Sequence, residues 1–352
     1  MTINQPPLQP TPVGAFRFNT DSSKLEYYDG NQWVNITSDS TEQQTGGTRG
    51  LMLGGYERPE GGVVNTIQYI NMATTGNALD FGDLQAIGYG NGSFSNRTTG
   101  IYLDNNPNNQ RINLTSTGNS VSTGGSQNSG EVGRNAGANS IRGLFQWDVT
   151  PQVNTIEYFN IASSSRGIDF GDAATVSNNK GTMGASPTRW VVGGGTNSNW
   201  SAVYNLIEYV NFMTQGNSSD FGDLTVARTG ARGTGGNAVR GVYAGGYLAD
   251  GNAPGPYGVA NTIDYITVAT LGNALDFGDL SVGSDDPAIM TSSTRAVFAG
   301  GTSGVPSPNN VLGNIDYVQI MSTGNSTDFG DFTNSDKLGN CGAMSTGHGG
   351  LG

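Results

Sequence analysis

Five copies of the tetrapeptide Asp-Phe-Gly-Asp contain ten of the 28 acidic residues in this sequence, and repeated carboxylates could do chemistry. The copies end at Asp83, Asp172, Asp223, Asp279 and Asp331. Asp-Phe-Gly is also a magnesium-binding motif of protein kinases, but no Gly-rich ATP loop or catalytic-loop partner accompanies it here. The repeated Asp could instead bind Ca²⁺, although one copy lacks a full set of oxygen ligands. We therefore interpret each Phe as core and each Asp as a turn residue or a backbone acceptor.

The chain contains one histidine and one cysteine. His348 could act as a base or a metal ligand, but it lies in Gly-rich sequence with no identifiable partner, so we expect a solvated side chain. Cys341 by itself excludes an internal disulfide framework and a cysteine-rich zinc site. We therefore predict no catalytic residue, no metal site and no cofactor, and we expect a protein that is not an enzyme.

Composition favours an all-β protein. Of 352 residues, 56 are Gly and only 12% are charged, so packed strands and turns rather than ion pairs should stabilise the fold. A net charge of −12 argues against nucleic acid or an anionic membrane as a partner, because both require clustered cations. No long apolar run predicts secretion or membrane insertion.

The Asp-Phe-Gly-Asp motif belongs to a longer repeat, best seen at Asn261 to Leu280 (NTIDYITVATLGNALDFGDL). The steps between successive motif Phe residues are 89, 51, 56 and 52 residues. The first step is nearly two units long, and Ser116 to Val121 (STGNSV) matches the middle of the repeat without its Phe or Asp residues. This degenerate copy brings the number of units to six.

Each unit is predicted to contain four antiparallel strands. An apolar strand such as Arg240 to Gly246 (RGVYAGG) ends at paired glycines, and an alternating Ile-x-Tyr strand and the motif strand follow it. The Gly-rich segment before it, Ala227 to Gly236 (ARTGARGTGG), is interpreted as an inner strand of small residues. Four strands in roughly 50 residues is the size of one β-propeller blade.

The two ends of the repeat region complement each other. The first unit begins at Arg49 without a Gly-rich strand, and the sequence from Lys337 to Gly347 is such a strand without a unit behind it. We therefore predict that Leu338 to Ser345 pairs beside Arg49 to Leu53. The predicted fold is a six-bladed β-propeller of four-stranded blades, closed by its N- and C-terminal segments.

Three regions are predicted along the chain. Residues 1–12 are Pro- and Gln-rich and should form an extended arm, residues 13–45 a small β-meander with its linker, and residues 46–352 the propeller. About 20 residues cannot bury enough apolar surface to be stable alone, so the meander should pack on the propeller, on a symmetry mate or on a larger particle. Its candidate attachment residues are aromatic: Phe16, Phe18, Tyr27, Tyr28 and Trp33.

These motifs resemble known families. The Gly-rich strand, the apolar strand ending in Gly-Gly and the Tyr-containing strand are similar to kelch propeller units, although Trp is absent from the late aromatic position. The repeat at Asn261 to Leu280 resembles repeats in structural proteins of marine bacteriophages. Gly14 to Trp33, with GAFRFNT and LEYYDGNQW, resembles a short module near the ends of phage fibre proteins.

The resemblance implies a non-enzymatic virion protein of a tailed bacteriophage, located in a tail fibre, an appendage or a surface decoration. Its N-terminal region would contact other virion proteins, several copies would assemble, and the propeller would face outward.

Aromatic residues in or next to connections that vary between units provide a second functional hypothesis, a host-recognition adhesin that binds surface glycan. Packing between blades or at a subunit contact would equally explain these aromatics. A polysaccharide-degrading enzyme is a further alternative, although carboxylates spread around a ring do not favour an acid/base pair in one cleft. The candidate ligand-contact residues are Trp147, Trp200, Tyr247, Tyr257, Asn197, Asn199, Asp250 and Asn252.

Overall fold

The computed structural model divides the chain into two compact units, Met1–Thr45 and Gly46–Gly352. The residues whose structure is described are 11–19, 24–35, 48–57, 62–104, 109–124, 132–148, 153–163, 167–230, 232–248, 258–303, 311–333 and 337–352.

The first unit contains a three-stranded antiparallel sheet, here called the small sheet. Its strands follow chain order as β1 (Phe16–Asn19), β2 (Lys24–Tyr28) and β3 (Trp33–Asn35). The tight turn between β2 and β3 is held by Asp29, whose Oδ1 accepts the backbone N–H groups of Asn31 and Gln32 at 2.8 and 2.7 Å. A short polar side chain bonded to its own turn is the expected role of Asp at this position.

The described part of the second unit contains strands and one short 3₁₀ helix (Gly349–Leu351), and no α-helix. Three of its sheets have four antiparallel strands in chain order. Sheet 2 is β7 (Ser93–Ser95), β8 (Thr99–Tyr102), β9 (Gln110–Asn113) and β10 (Val121–Ser122). Sheet 3 is β11 (Val132–Ala138), β12 (Arg142–Asp148), β13 (Thr155–Asn160) and β14 (Ile168–Asp172). Sheet 4 is β15 (Gly181–Ala185), β16 (Arg189–Gly193), β17 (Leu206–Asn211) and β18 (Ser219–Asp223).

Sheet 1 joins the two ends of the repeat region. Its strands are β4 (Arg49–Glu57), β5 (Gly62–Asn71), β6 (Leu79–Asp83), β27 (Leu338–Gly339) and β28 (Gly342–Ser345). Strand β28 runs antiparallel to β4, with Gly342 opposite Leu53 and Ser345 opposite Gly50. This is the pairing that the two incomplete units predicted.

The expectation of four strands in every unit is wrong for sheet 5, which has three, and for sheet 6, to which a further strand is added. Sheet 5 has three strands, β20 (Arg240–Ala244), β21 (Thr262–Thr267) and β22 (Leu275–Asp279). Sheet 6 is β23 (Ala288–Thr291), β24 (Arg295–Ala299), β25 (Asn314–Gln319) and β26 (Thr327–Asp331).

The Gly-rich segment predicted as the inner strand of sheet 5 lies elsewhere. Only Arg232–Gly233 forms a strand there, β19, and it pairs in parallel with β23 of sheet 6. Gly233 and Gly236 have φ angles of 97° and 91°, which bend the chain out of a regular strand. Arg232 is bound by Asp286 of sheet 6 at 3.0 Å, and this ion pair holds the displaced segment. A run of small residues has no side-chain pattern that would specify which strand it pairs with, so the sequence did not predict this position.

The motif Phe residues are core residues, as predicted. All five are buried, with 2 or 3% of their surface exposed. Each packs edge-on against the Tyr of the neighbouring strand in its own sheet, with ring centroids 5.8 to 6.0 Å apart. Such edge-to-face pairs contribute about 0.5–1.5 kcal/mol beyond area burial. The repeat therefore encodes one aromatic pair per unit in five units.

The C-terminal tail is buried, and the expectation of a solvated His348 is wrong. His348 is 3% exposed; its Nε2 lies 2.7 Å from the carbonyl oxygen of Ser95, and its Nδ1 accepts the N–H of Gly350. Burial lowers the pKa of this imidazole to about 4. A Cβ atom on Gly350 would lie 1.8 Å from the oxygen of Ala138, so the glycines permit close packing of the tail.

Candidate functional site

The Asp-Phe-Gly-Asp motif binds one sheet to the next. Between sheets 3 and 4, the N–H of Asp172 donates to Oδ1 of Asn217 at 3.0 Å. The N–H of Gly216 donates to the oxygen of Phe170 at 2.9 Å, and the N–H of Ser218 donates to the oxygen of Asp172 at 2.8 Å. We call this set of three hydrogen bonds the clasp. The sequence identified the Phe as core but did not reveal the clasp, although the Gly-Asn that recurs before the motif was its signal.

The clasp requires glycine on both sides. Gly171 and Gly216 have φ angles of 147° and 153°, which side chains other than glycine rarely allow. A Cβ atom on Gly171 would lie 2.5 Å from the carbonyl carbon and oxygen of Gly216, whereas a Cβ atom on Gly216 would have nothing within 4 Å. The motif glycine is therefore constrained by contact as well as by conformation.

The same clasp recurs between other sheets of the second unit. The Asp N–H to Asn Oδ1 distance ranges from 3.0 to 3.2 Å in the five pairs. The pairs are Asp83–Asn119, Asp172–Asn217, Asp223–Asn273, Asp279–Asn325 and Asp331–Asn77. They join sheet 1 to 2, 3 to 4, 4 to 5, 5 to 6, and sheet 6 back to sheet 1. Sheet 2 lacks the motif that would make this contact with sheet 3.

A second contact uses the Arg that begins the apolar strand. In sheet 3, the guanidinium of Arg142 lies 4.5 Å from the ring centroid of Tyr158, and its Nη1 donates to the oxygen of Phe212 in sheet 4 at 3.0 Å. A cation over an aromatic face is attracted by the ring. The equivalent donors and acceptors are Arg49–Leu114, Arg189–Val268, Arg240–Ile320 and Arg295–Met72.

In the degenerate unit, an arginine on a different strand makes the equivalent contact with the next sheet. Sheet 2 has Thr99 where other units have Arg, and Arg111 where they have Tyr. Nη2 of Arg111 donates to the oxygens of Ile161 and Ala162 in sheet 3 at 3.3 and 3.2 Å. The arginine contact is thus made from all six sheets, although the clasp is made from five.

Several buried charges in the described part of the second unit form ion pairs. Lys180 and Glu208 form an ion pair at 2.8 Å, and Arg228 and Asp264 form another at 3.1 Å, all four side chains being nearly or fully buried. Burial lowers the pKa of Lys180. In the described ranges, no group of three or more His, Cys, Asp or Glu side chains is arranged to hold a metal ion.

Asp285 is the carboxyl with the most unusual proton affinity. Burial first, and the neighbouring Asp286 second, raise its pKa to about 7. Its Oδ1 accepts a hydrogen bond from Oγ1 of Thr229 at 3.0 Å. A carboxyl of this kind can be protonated near neutral pH.

The comparisons with known proteins give no family assignment. No protein-family model matches this sequence, and no curated protein is significantly similar to it. Within the portion of the chain that the structure describes, no helix has the length and apolar character needed to cross a membrane. The function of this chain is therefore inferred from its own sequence motifs and sites.

Two of the predicted ligand-contact aromatics lie together. The rings of Trp200 and Tyr247 are 6.0 Å apart in an edge-on arrangement, and 44% of Trp200 is exposed. Trp200 has a φ of 59°, an unusual conformation for a large side chain. We call this pair the aromatic ledge. Asn197 and Asn199 support its loop, because both bind Ser201 through their side chains.

The other predicted ligand-contact residues are not brought to the ledge. Trp147 lies near the end of strand β12, next to the connection to β13, with its backbone opposite Gly133 of β11. Tyr257, Asp250 and Asn252 lie outside the described residues.

Sequence reasoning missed a similar aromatic pair in the first repeat. Tyr56 and Tyr89 have ring centroids 6.4 Å apart, and 52% of Tyr89 is exposed. Tyr56 follows Gly54-Gly55 as Tyr247 follows Gly245-Gly246. The repeated Gly-Gly-Tyr was the signal that could have identified both pairs.

The small sheet separates the predicted attachment residues into two faces. Phe16 is opposite Tyr27 and Phe18 is opposite Leu25, so these four side chains share one face. Their exposed fractions are 67% for Phe16, 62% for Phe18, 45% for Leu25 and 37% for Tyr27. This exposed apolar face is large for so small a sheet.

The other two attachment candidates, Tyr28 and Trp33, lie on the opposite face of the small sheet. Their rings are 5.4 Å apart, and the guanidinium of Arg17 lies 4.3 Å from the Trp33 ring centroid. Arg17 also pairs with Glu26 at 2.7 Å. Because side chains alternate along a strand, adjacent Tyr27 and Tyr28 must point to different sides. Tyr28 and Trp33 thus stabilise the sheet itself.

Proposed function

We propose that this chain is a non-enzymatic structural component of a tailed-bacteriophage virion, in a tail fibre, an appendage or a surface decoration. The N-terminal unit attaches it to other virion proteins and the second unit is displayed outward. The virion assignment rests on the resemblance of Gly14 to Trp33 and of Asn261 to Leu280 to phage structural sequences. The observation that carries the attachment role is the exposed apolar face of Phe16, Phe18, Leu25 and Tyr27.

We further propose that the second unit is a closed, six-bladed kelch-like β-propeller, with one blade for each of sheets 1 to 6. Three observations support closure. Strand β28 pairs with β4, Asp331 of sheet 6 binds Asn77 of sheet 1, and Arg295 of sheet 6 binds Met72 of sheet 1. Closure removes the free strand edges that would otherwise favour aggregation.

A rigid ring is suited to display rather than to a conformational cycle. The clasp and the arginine contact repeat with nearly constant distances, so each sheet is held to the next in the same geometry. Because such a ring already buries its own apolar strands, the exposed apolar face of the small sheet remains the surface best suited to docking on a particle. That surface has no charge to screen, so the docking should persist at high salt.

The attachment role is tested with a double variant of the full chain that carries Phe16→Ser and Phe18→Ser. The double variant should be incorporated into particles at least tenfold less than the unchanged chain, because two large apolar anchors are lost. The matched control is Leu275→Ser, which alters an equally exposed apolar side chain of the second unit (57% exposed). Both proteins should show unchanged circular dichroism. Normal incorporation of the double variant would move the attachment surface to the second unit.

A second candidate function, glycan recognition at the host surface, is favoured by the aromatic ledge. An exposed indole beside a tyrosine ring offers the flat apolar surface on which sugar rings stack. Trp200→Ala should lower binding of the protein to host cells at least tenfold, with Tyr89→Ala as a comparison at the other aromatic pair. Equal cell binding by the Trp200→Ala protein would exclude the ledge as the recognition site.

A further inference from the structure

A cavity of about 320 Å³ lies in sheet 1, between the end of β5 and the turn that leads to β6. Pockets that hold small ligands begin near this volume, at roughly 300 Å³. Six of the residues that line it carry the argument: Arg49, Tyr69, Asn71, Thr75, Asn77 and Leu79.

The lining of this cavity is free of acidic residues, although the chain has 28 of them. Arg49 is its one charged residue. Nη1 of Arg49 donates to the oxygen of Leu114 at 3.0 Å, which leaves Nη2 and Nε of a half-buried guanidinium for another acceptor. The local charge is thus opposite in sign to the net charge of −12, and it favours an anionic group.

The amide side chains in the cavity are oriented as donors. Oδ1 of Asn71 accepts the N–H of Ala73 at 3.1 Å, and Oδ1 of Asn77 accepts the N–H of Asp331 at 3.2 Å. Both oxygens are therefore used by the chain, and the Nδ2 groups remain for a ligand. Together with the Arg49 guanidinium they select a ligand rich in acceptor oxygens.

Two apolar surfaces complete the cavity. The ring of Tyr69 forms part of its wall, and Leu79, which is 57% exposed, stands at its edge. Aromatic and aliphatic surfaces beside hydrogen-bond donors suit the face of a sugar ring and its hydroxyl groups. A simple inorganic anion would not use these surfaces.

The cavity coincides with a difference between sheet 1 and the other sheets. The Arg49 guanidinium is 5.5 Å from the Tyr69 centroid, whereas the equivalent distances are 4.3 to 4.9 Å in the other four Arg–Tyr pairs. Arg49 reaches toward Leu114 of the degenerate unit in sheet 2. The Arg49 guanidinium is thus less closely stacked on its tyrosine ring than the other four.

We propose that this cavity binds a single sugar unit that carries a carboxylate, such as a uronic acid residue. The guanidinium of Arg49 binds the carboxylate, the Nδ2 groups of Asn71 and Asn77 bind ring hydroxyls, and Tyr69 and Leu79 contact the ring face. The site lies apart from the aromatic ledge, and the inference does not depend on the virion assignment.

The test measures binding of D-glucuronate, D-glucose and acetate to the full chain by saturation-transfer NMR and calorimetry. Glucuronate should bind at least tenfold more tightly than glucose, which lacks the carboxylate, and than acetate, which lacks the ring. Equal binding of glucose would overturn the role of Arg49. Equal binding of acetate would show a simple anion site and overturn the sugar assignment.

Two variants with matched controls locate the site. Thr75→Glu places an acid in the cavity from an exposed turn position and should weaken glucuronate binding at least tenfold, while Thr323→Glu, at the same repeat position in sheet 6, should not. Arg49→Gln should have the same effect, with Arg295→Gln as its control. Glucuronate binding unchanged by Thr75→Glu would place the ligand elsewhere and overturn the proposal.

Discussion

At the scale of single residues, the contacts between sheets depend more on glycines and arginine side chains than on the carboxylates of the motif Asp residues. The motif Asp residues contribute backbone groups to the clasp, whereas Gly171 permits the close approach of two chains. The arginine of each apolar strand crosses to a neighbouring sheet and binds a carbonyl oxygen there. A motif that suggested metal chemistry is therefore explained by contact between repeats.

The clasp glycines allow contact and backbone strain to be separated. Gly171→Ala should lower the free energy of unfolding by at least about 3 kcal/mol, since it adds a clash to an unfavourable φ. Gly216→Ala, which has a similar φ but open space, should cost about 1–3 kcal/mol. Urea unfolding midpoints measure both. Equal losses would show that conformation, not contact, selects the motif glycine.

His348 should make stability depend on pH in the acid range. Its pKa is about 4 in the folded chain and near 6.5 when unfolded, so its contribution is complete above pH 6.5 and is lost as pH falls toward 4. Replacing it with Gln should remove this part of the pH dependence. At pH 7.5 the variant should be less stable by about 1–3 kcal/mol, because Gly350 and Ser95 lose a partner.

The measurement is the difference in unfolding free energy between the unchanged chain and His348→Gln at pH 7.5 and pH 4.5. This difference should shrink at the lower pH. A difference independent of pH would mean that the imidazole titrates normally in the fold.

At the scale of secondary-structure elements, sheet 2 shows how a degenerate repeat keeps its contacts with the neighbouring sheets. Arg111 makes the intersheet contact that the Arg of the apolar strand makes elsewhere, and Oε1 of Gln110 in the same strand accepts from Ser120 and from the backbone of Gln85. Hydrogen bonds thus replace part of the missing aromatic pair. They do not replace the apolar area of a buried Phe, which is typically worth about 3–5 kcal/mol when lost.

Sheet 2 should accordingly exchange its amide hydrogens faster than the complete sheets. Strand β10 has two residues, both exposed, whereas β22 has five residues and a buried Phe277. In hydrogen exchange followed by mass spectrometry, peptides from β9 and β10 should exchange at least tenfold faster than those from β21 and β22. Equal protection would show that Arg111 fully compensates for the degenerate sequence.

At the scale of the whole molecule, the proposed ring depends on contacts between its first and last units. The clasp of Asp331 with Asn77 has the same form as that of Asp172 with Asn217, although 254 residues separate the first pair and 45 the second. Joining distant parts of the chain closes a long loop, which has an entropic cost. The strand pairing of β28 with β4 offsets that cost in the same sheet.

A comparison of two Asn variants tests whether the second unit is closed. In a closed ring, Asn77→Ala should cost as much stability as Asn217→Ala, about 1 kcal/mol, because both remove one clasp hydrogen bond. Thermal and urea unfolding would measure the two losses. If Asn77→Ala were without effect while Asn217→Ala destabilised, the first and last sheets would not be held together in solution.

The amino-acid sequence by itself determined most of the strands, the repeat length, the aromatic core of five units and the pairing of the two chain ends. These features follow from patterns that are local, such as Ile-x-Tyr alternation, or copied, such as the motif Phe. The alternation also implies that Tyr27 and Tyr28 face opposite ways, but the candidate attachment residues were chosen by residue type, and they therefore lie on two faces of the small sheet.

Only the tertiary structure decided where two further Gly-rich segments lie. Arg232–Gly233 pairs with sheet 6 instead of its own sheet, and the tail around His348 is buried. Glycine has no side chain to specify a partner, so many neighbours can approach it equally closely. The aromatic ledge and the Arg49 cavity likewise join residues whose separation depends on how whole sheets are placed. Contacts between repeats are set by that placement and not by the pattern within any one repeat.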